Sequence, residues 1–209
     1  HCDPEWWASD AAFPDPAALL VTPDHYLLRM LYSQGVPMEA LGVGQSAGDR
    51  DSHAIFRIFA QHWDAFLGTP TRMWMEHTLY GVIGVDTELG PNTADLVHDQ
   101  VSEWLFDPAH RPRALFDRFR IETLATTDPA LSDLAQHDRI AASGWPGRVI
   151  PTFRPDDLIN PVRPGQAGAM QALAGMTDTD ITTFRGFLDA IRARRAAFRA
   201  RGATATDHD

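Results

Sequence analysis

Residues 120–154, RIETLATTDPALSDLAQHDRIAASGWPGRVIPTFR, decide the fold of this chain. A β-prone run over 120–127 ends in polar residues just before Pro129, and 148–153 forms a second such run. The segment 130–142 between them has the pattern of a helix. A strand, a crossover helix and a second strand imply parallel pairing. The sequence therefore predicts an α/β fold.

Further helices are predicted on both sides of this stretch. Apolar residues recur at helical spacing and predict helices over 24–34, 37–41, 50–67, 70–83, 92–106, 165–174 and 180–201. Residues 3–23 carry several prolines and aromatic residues, which predict an ordered loop with short helical turns. Residues 203–206 predict a third strand that leads into Asp207 and His208.

The composition excludes several classes of function. A formal net charge of −10 argues against a nucleic-acid or anionic-membrane partner, since both select for concentrated positive charge. The sequence contains no lysine, which excludes Schiff-base chemistry and the phosphate-binding lysine of a P-loop. All 18 basic residues are arginine, whose planar fork can donate two parallel hydrogen bonds to a carboxylate. A substrate that carries a carboxylate is compatible with this composition.

Cysteine usage and hydropathy favour a cytoplasmic protein. Cys2 is the only cysteine, which rules out an intramolecular disulfide framework and a multi-cysteine zinc site. No signal peptide and no apolar run of membrane-spanning length is present. The chain begins with His1 and stops at Asp209 directly after a predicted strand, so we expect these residues to be part of a longer protein.

Candidate site residues follow the predicted strands. In parallel α/β architectures, active sites collect at the carboxyl ends of the strands. Three such ends carry polar side chains: Thr126, Thr127 and Asp128; Thr152, Arg154 and Asp156; and Asp207 and His208.

Each of these side chains has an alternative interpretation. Arg154 is expected to point into the opening at the carboxyl ends of the strands and bind an anion there. The alternative is a salt bridge with Asp156 or Asp157. Asp128 before Pro129 is either a substrate ligand or a helix cap. Asp207 and His208 form either an acid–base pair or a local cap.

The remaining histidines and arginines divide into candidates and surface residues. His25 follows Asp24 at a predicted helix start, where the donor-rich terminus favours anions. His1 could contribute to a metal site, although zinc usually needs at least three protein ligands. Side chains predicted to face solvent are His98, His110 and His137, and the arginines of one helix face, Arg192, Arg194, Arg195, Arg199 and Arg201.

Five segments, taken together and in order, resemble the uronate isomerase family, a divergent branch of the amidohydrolase superfamily. They are Asp24-His25-Tyr26 with Arg29, Trp74 with His77, 124–129 (LATTDP), 152–156 (TFRPD) and 205–208 (ATDH). The resemblance implies a (β/α)8 barrel of the TIM type with a large helical insertion after its first strand. It divides the chain into a first strand end and loop at 1–14, the insertion at 15–119 and βα units at 120–209.

The resemblance also implies a reaction and a set of roles. The reaction is the aldose–ketose isomerisation of D-glucuronate to D-fructuronate and of D-galacturonate to D-tagaturonate, with proton transfer through an enediol. The implied catalytic residues are His25, Tyr26 and Asp207, and the implied substrate-binding residues are Arg154, Thr127, Asp128, Arg29 and His208. His1 would bind a divalent metal, with zinc the first choice and weak or dispensable binding allowed. No redox cofactor is implied, and we expect the full-length enzyme to be a homo-oligomer.

The chain departs from the family pattern in two places that keep other functions open. His1-Cys2-Asp3 lacks the second His of the family's His-x-His strand end, and the run before Pro129 is one Asp shorter than usual. The alternatives are a metal-dependent hydrolase of the same superfamily, which would need a well-held metal-bound water, and a non-catalytic homologue that binds sugar acids.

Overall fold

A computed structural model describes residues 3–162 and 164–208 of the chain. The chain divides into two compact units. We call residues 12–114 the helical unit, and residues 1–11 together with 115–209 the sheet unit. The segment boundaries predicted from the sequence fall after residues 14 and 119, and the barrel roles given to those segments stay predictions.

The helical unit is built from short helices that follow one another closely. Its α-helices are α2 (Pro16–Leu20), α3 (His25–Ser33), α4 (Ser52–Gln61), α5 (Pro70–Glu76) and α6 (Ala94–Phe106), followed by the start of α7 (Pro112–Arg118). Single turns of 3-10 helix cover Met38–Leu41, Ala47–Asp49, Trp63–Phe66 and Pro108–His110, and a π-helical segment covers His77–Ile83.

Aspartate side chains cap α2, α3 and α4 of this unit, and aromatic residues fill much of its core. Asp24 accepts hydrogen bonds from two backbone amides of α3, and Asp51 accepts one from Ala54 in α4. Such caps satisfy amides that have no partner inside the helix. The fully buried rings of Phe56 and Phe59 meet edge to face with centroids 5.8 Å apart, an arrangement that aromatic pairs favour.

Two predicted helices of this unit are shorter than expected. The helix predicted over 50–67 ends at Gln61, and a 3-10 turn over Trp63–Phe66 replaces its last part. The helix predicted over 70–83 is α-helical only to Glu76 and then widens to a π-helix, in which the Gly81 backbone passes close to the His77 ring. Helical periodicity alone does not distinguish these related helix types.

The sheet unit contains two parallel strands and five α-helices in its described part, apart from the end of α7. The strands are β1 (Leu124–Pro129) and β2 (Val149–Arg154), paired with Leu124 opposite Val149 and Pro129 opposite Arg154. The helices are α1 (Glu5–Ser9), α8 (Ala135–Ala142), α9 (Asp156–Ile159), α10 (Gln166–Thr177) and α11 (Phe184–Ala200). The parallel pairing and the crossover helix confirm an α/β unit.

Several boundaries in the sheet unit differ from the predictions, including α10, which ends at Thr177 and not at residue 174, and α11, which begins at Phe184 and not at residue 180. β1 begins four residues later than the run at 120–127, because Arg120 adopts a positive φ of 53° that ends α7. The helix predicted over 130–142 begins only at Ala135, after Leu134 takes a positive φ of 61°. The third strand predicted over 203–206 was too long: its described residues form one parallel bridge, between Thr206 and Phe153.

The core of the sheet unit lies on both sides of the strands. Phe153 of β2 meets Phe198 of α11 edge to face with centroids 5.0 Å apart, and Phe116 meets Trp145 in the same way at 4.9 Å. α11 ends at Gly202, whose φ of 93° places it in the left-handed region that glycine adopts without strain. These aromatic contacts therefore join α11 to β2, and α7 to the turn that precedes β2.

The arginine-rich face of α11 is only partly solvated. Arg194 is buried, with 8% of its surface exposed, so its assignment to a solvent-facing set was wrong. Its guanidinium donates from Nε to the Ala130 carbonyl at 2.9 Å and from Nη2 to the Ser132 carbonyl at 2.6 Å. The buried charge therefore ties α11 to the loop that follows β1.

Candidate functional site

The three predicted strand ends meet at one edge of the sheet unit. The register places Thr127 opposite Thr152 and Pro129 opposite Arg154. The Asp207 amide donates to the Phe153 carbonyl at 3.0 Å, which holds the third segment beside β2. The polar residues that end these segments therefore lie along the carboxyl edge of the strands, where parallel α/β proteins place their sites.

Arg154 forms an ion pair at this edge. Its Nε donates to Oδ2 of Asp156 at 2.9 Å, and its Nη1 lies 3.8 Å from Oδ2 of Asp207. The salt bridge to Asp156 was one of the two sequence interpretations, and the structure contains it. About a fifth of each side chain in the Arg154–Asp156 pair is exposed, so the charges are partly screened by solvent.

Asp207 and His208 are both exposed at the end of the third segment. Asp207 reaches the neighbourhood of Arg154. Thr127 is half-buried in β1 and faces the opposite side of the strand from Thr126. These positions make the carboxylate and the hydroxyl accessible to a small ligand at the strand edge.

A buried polar triad lies directly behind this edge. Thr126, Asp128 and His137 are each at most 5% exposed. The Thr126 hydroxyl donates to Oδ2 of Asp128 at 2.6 Å and therefore accepts from Nε2–H of His137 at 2.9 Å. Nδ1 of this neutral imidazole is buried and has no hydrogen-bond partner among the described residues. The chain of bonds fixes the orientation of the Asp128 carboxylate.

The triad corrects two sequence interpretations. Asp128 does not cap a helix, because it lies within β1 and α8 has Leu134 at its N-cap. His137 was predicted to face solvent and is buried. Burial lowers the pKa of His137, since the charged imidazolium loses its hydration, while the Asp128 carboxylate opposes that shift. The spacing of His137 and the buried Ile140, three residues apart on one helix face, was the available signal.

The remaining predicted site residues belong to the helical unit. His25 and Tyr26 open α3 behind the Asp24 cap, with ring centroids 4.1 Å apart. Tyr26 is 58% exposed, and Arg29 is exposed one turn later. The three side chains thus share the amino-terminal half of one helix.

The metal prediction falls on His1, which lies outside the described residues. Within residues 3–162 and 164–208, one group of three metal-ligand side chains is close enough to share an ion: His53, His98 and Asp99. Sequence reasoning missed this group, and its placement of His98 at the surface was wrong, because His98 is 5% exposed. His110, also predicted at the surface, is half-buried and stacks on Trp104 at 3.7 Å.

A cavity of the sheet unit is lined by neighbours of the predicted site residues and not by those residues themselves. It has a volume of about 650 Å³ and is lined by Phe153, Phe198, Arg195, Arg199 and residues 203–206. None of the side chains assigned to catalysis or substrate binding lines it. As regards membranes, no helix in the described ranges is both long and apolar enough to span one.

Comparison with known proteins gives consistent matches along the whole chain. A uronate isomerase of Rhizorhabdus wittichii is 51% identical over 208 residues, and one of Rhizobium meliloti is 47% identical over 211 residues. A crystal structure of glucuronate isomerase from Caulobacter crescentus, 44% identical, superposes with a TM-score of 0.93. Each match covers 100% of this chain but only 44% or 45% of the relative.

The chain thus spans less than half the length of the proteins that it matches. The family model described as glucuronate isomerase matches residues 1–209, which is the whole of the sequence. On this match, together with the identities above, the chain belongs to the glucuronate isomerase family.

Proposed function

We propose that the full-length protein carrying this chain is an aldose–ketose isomerase of hexuronates, which converts D-glucuronate to D-fructuronate and D-galacturonate to D-tagaturonate. The observation that carries the proposal is the family match over residues 1–209. The names of the relatives, uronate isomerase and glucuronate isomerase, describe this class of reaction. The strand edge with Arg154 and its acidic neighbours supports the proposal, because a sugar acid needs both a cation and hydroxyl partners.

The reaction needs only positioned acid–base groups. A base removes the proton at C2 of the open-chain aldose while the carbonyl oxygen at C1 is protonated, which gives the enediol. Return of a proton to C1 and loss of the hydroxyl proton at O2 then complete the ketose. We assign His25, Tyr26 and Asp207 to the reacting end. The exposed phenol of Tyr26 and the half-exposed carboxylate of Asp207 support these roles, since both are accessible to a ligand.

Substrate binding is assigned to Arg154, Thr127, Asp128, Arg29 and His208. Arg154 is the best supported of these, because a guanidinium at a strand edge can hold a carboxylate or adjacent hydroxyls. Asp128 is held in one orientation by Thr126 and His137, which suits a carboxylate that must accept hydrogen bonds from sugar hydroxyls. Arg29 would hold neighbouring groups in place around His25.

The proposed architecture is part of a (β/α)8 barrel with a helical insertion after the first strand. The parallel pair β1–β2 and the bridge at Thr206 support it, because they are successive parallel additions to one sheet. The insertion would correspond to residues 15–119. A cytoplasmic location and a homo-oligomeric state of the full-length protein are part of the same proposal, with the single cysteine supporting the former.

The proposal includes a divalent metal at the isomerase site, with zinc as the first choice. His1 is the one residue of this chain that we assign as its ligand. Among the described residues, those at the strand edge do not form a group of three donors close enough to share an ion. The described residues therefore do not by themselves fit a catalytic metal, and we assign no step of the reaction to one. A metal-dependent hydrolase is less compatible with this donor set, since hydrolysis needs a firmly held metal-bound water.

Replacing Arg154 by methionine in the full-length protein tests substrate binding at the strand edge. Loss of a charge-assisted hydrogen bond of about 1.5–3 kcal/mol raises KM for both hexuronates by about 10- to 100-fold, with a smaller change in kcat. Steady-state rates of ketose formation measure the effect. The matched control is Arg185→Met on α11, where the side chain is exposed.

We expect the Arg185→Met protein to keep the parent KM and kcat. An Arg154→Met protein with the parent's circular dichroism and an unchanged KM for both sugars would remove Arg154 from the substrate site. Binding of either sugar acid without turnover by the unmodified protein would instead favour the non-catalytic homologue.

A further inference from the structure

The helical unit carries a group of ligand-type side chains that the isomerase proposal does not use. His53 lies on α4, and His98 and Asp99 are adjacent on α6. The imidazole rings of His53 and His98 face each other with centroids 3.7 Å apart. One nitrogen of each ring and one oxygen of Asp99 lie within 4.8 Å of one another.

The hydrogen bonds around His98 identify which of its nitrogens carries the proton. The Ser52 hydroxyl donates to Oδ1 of Asp15 at 2.6 Å, so its oxygen must accept from Nε2–H of His98 at 2.9 Å. The lone pair of the neutral ring is therefore on Nδ1, which lies 3.6 Å from Oδ1 of Asp99. Ser102 lies 3.4 Å from this nitrogen but donates its hydrogen to the His98 carbonyl.

The His98 ring is buried, with 5% of the residue exposed, and its Nε2–H is directed to Ser52. The lone pair on Nδ1 and the Asp99 carboxylate thus face each other as two acceptors with no hydrogen between them. A cation placed between them would remove this unfavourable contact.

His53 presents a second lone pair to the same carboxylate. Its Nδ1 lies 3.3 Å from Oδ1 of Asp95, which is kept ionised because the Arg57 guanidinium donates to it at 2.8 Å and lowers its pKa. In the neutral ring Nδ1–H donates to Asp95, so the lone pair is on Nε2. That nitrogen lies 3.7 Å from Oδ1 of Asp99.

We propose that His53, His98 and Asp99 form a transition-metal site that joins α4 to α6, separate from any metal bound through His1. Two ligands that are each about 2.1 Å from a tetrahedral ion lie about 3.4 Å apart, close to the two nitrogen–oxygen distances of 3.6 and 3.7 Å. The fourth position is open to water, because 68% of the Asp99 side chain is exposed. The inference does not depend on the isomerase activity.

The donor set indicates which ions the site takes. Two imidazole nitrogens and one carboxylate oxygen suit Zn²⁺, Co²⁺ or Ni²⁺, whereas Mg²⁺ and Ca²⁺ require oxygen ligands. The bond from His98 to Ser52, which Asp15 supports, resembles the second hydrogen bond that orients most metal-binding histidines. Because the ligands come from two helices, the bound ion would stabilise the folded state by mass action.

The test uses the metal-depleted full-length protein titrated with Zn²⁺ and, in parallel, with Co²⁺. The informative variants are His53→Gln and Asp99→Asn, both at accessible positions, and Glu103→Gln on the exposed face of α6 is the matched control. We expect the parent and the control to bind one more zinc ion per chain than the two variants. Loss of a residue that only hydrogen-bonds to a metal ligand typically weakens metal binding by about 10- to 100-fold. Loss of a ligand itself should therefore weaken zinc binding by at least about 100-fold.

Two further readouts separate this site from a catalytic metal. Zinc should raise the thermal midpoint of the parent and control proteins but not of the variants, and the imidazole NMR signals of His53 and His98 should shift on zinc addition. Equal zinc stoichiometry and affinity in all four proteins would overturn the proposal. A parent protein that takes up no zinc, with His53 protonated on both nitrogens between Asp95 and Asp99, would also overturn it.

Discussion

The buried side chain of Arg194 anchors α11, although the sequence pattern does not distinguish it from its neighbours. It lies in α11 among several other arginines, and nothing in their spacing distinguishes it as the buried one. Its role depends on two carbonyls more than 60 positions earlier, at Ala130 and Ser132. Such contacts arise only when the chain folds, so local pattern could not predict them.

Replacing Arg194 by alanine should destabilise the sheet unit by about 2–4 kcal/mol, because it leaves two carbonyls without their charged donor. Urea unfolding followed by circular dichroism measures the change. Arg192→Ala on the same helix is the control: Arg192 is 67% exposed and pairs with Asp189, so its loss should change stability by less than about 0.5 kcal/mol. Equal stability of the two variants would refute the role of the buried guanidinium.

The candidate site was predictable in part at the residue scale. The polar residues at the strand ends could be named from sequence because parallel strands place their carboxyl ends together. The triad of Thr126, Asp128 and His137 could not, since it depends on the rotation of α8 against β1. The pairing of His53 with His98 was missed for the same reason, because their helices are far apart in the sequence.

At the scale of elements, helix beginnings were predicted better than helix types. Asp24 before α3 is a capping residue recognisable from sequence, and the observed helix starts directly after it. The change from α to 3-10 helix after Gln61, and to π-helix after Glu76, depends on packing and not on periodicity. Residues 203–206 have strand-like composition, yet one bridge is all that they form among the described residues.

The cap of α11 gives a prediction at this scale. The Thr183 hydroxyl accepts from the Gly186 amide at 3.1 Å, and a side chain at Gly186 would overlap the Asp180 carbonyl. Thr183→Ala should therefore cost about 1 kcal/mol of stability, while Thr183→Ser should retain the cap and lose little. Thermal unfolding of the three proteins compares them, and equal losses in both variants would show that the hydroxyl does not cap the helix.

For the whole molecule, the buried histidines make stability depend on pH. The pKa values of His98 and His137 are both lowered by burial, so the unfolded chain binds protons more readily than the folded one. The free energy of unfolding therefore has its full value above the ordinary histidine pKa of about 6.5. As pH falls below that value, it decreases by up to about 1.4 kcal/mol per pH unit for each histidine.

Thermal midpoints at about pH 7.5, 6.5 and 5.5 measure this dependence. The carboxyl groups with lowered pKa values, such as Asp95 and Asp138, titrate below about pH 4 and do not contribute in this window. Replacing the exposed His208 by glutamine should leave the dependence unchanged. A midpoint that stays constant or rises between pH 7.5 and 5.5 would contradict the burial of both imidazoles in neutral form.

The family and the α/β class were the parts of the whole molecule that sequence predicted most securely. Family membership is shown by the match over residues 1–209, and the parallel pairing of β1 with β2 confirms the strand–helix–strand order. Motifs in the same order along the chain carry this information even when each is short. Substrate roles remain proposals, because they depend on how a sugar acid lies against the side chains.

The most direct test of the central claim is to incubate the full-length protein separately with D-glucuronate and D-galacturonate and to follow ketose formation, with and without a chelator. We expect conversion of at least one hexuronate to its ketose, and chelator sensitivity would show that a metal takes part. A soluble, folded protein that forms no ketose from either sugar would contradict the isomerase assignment.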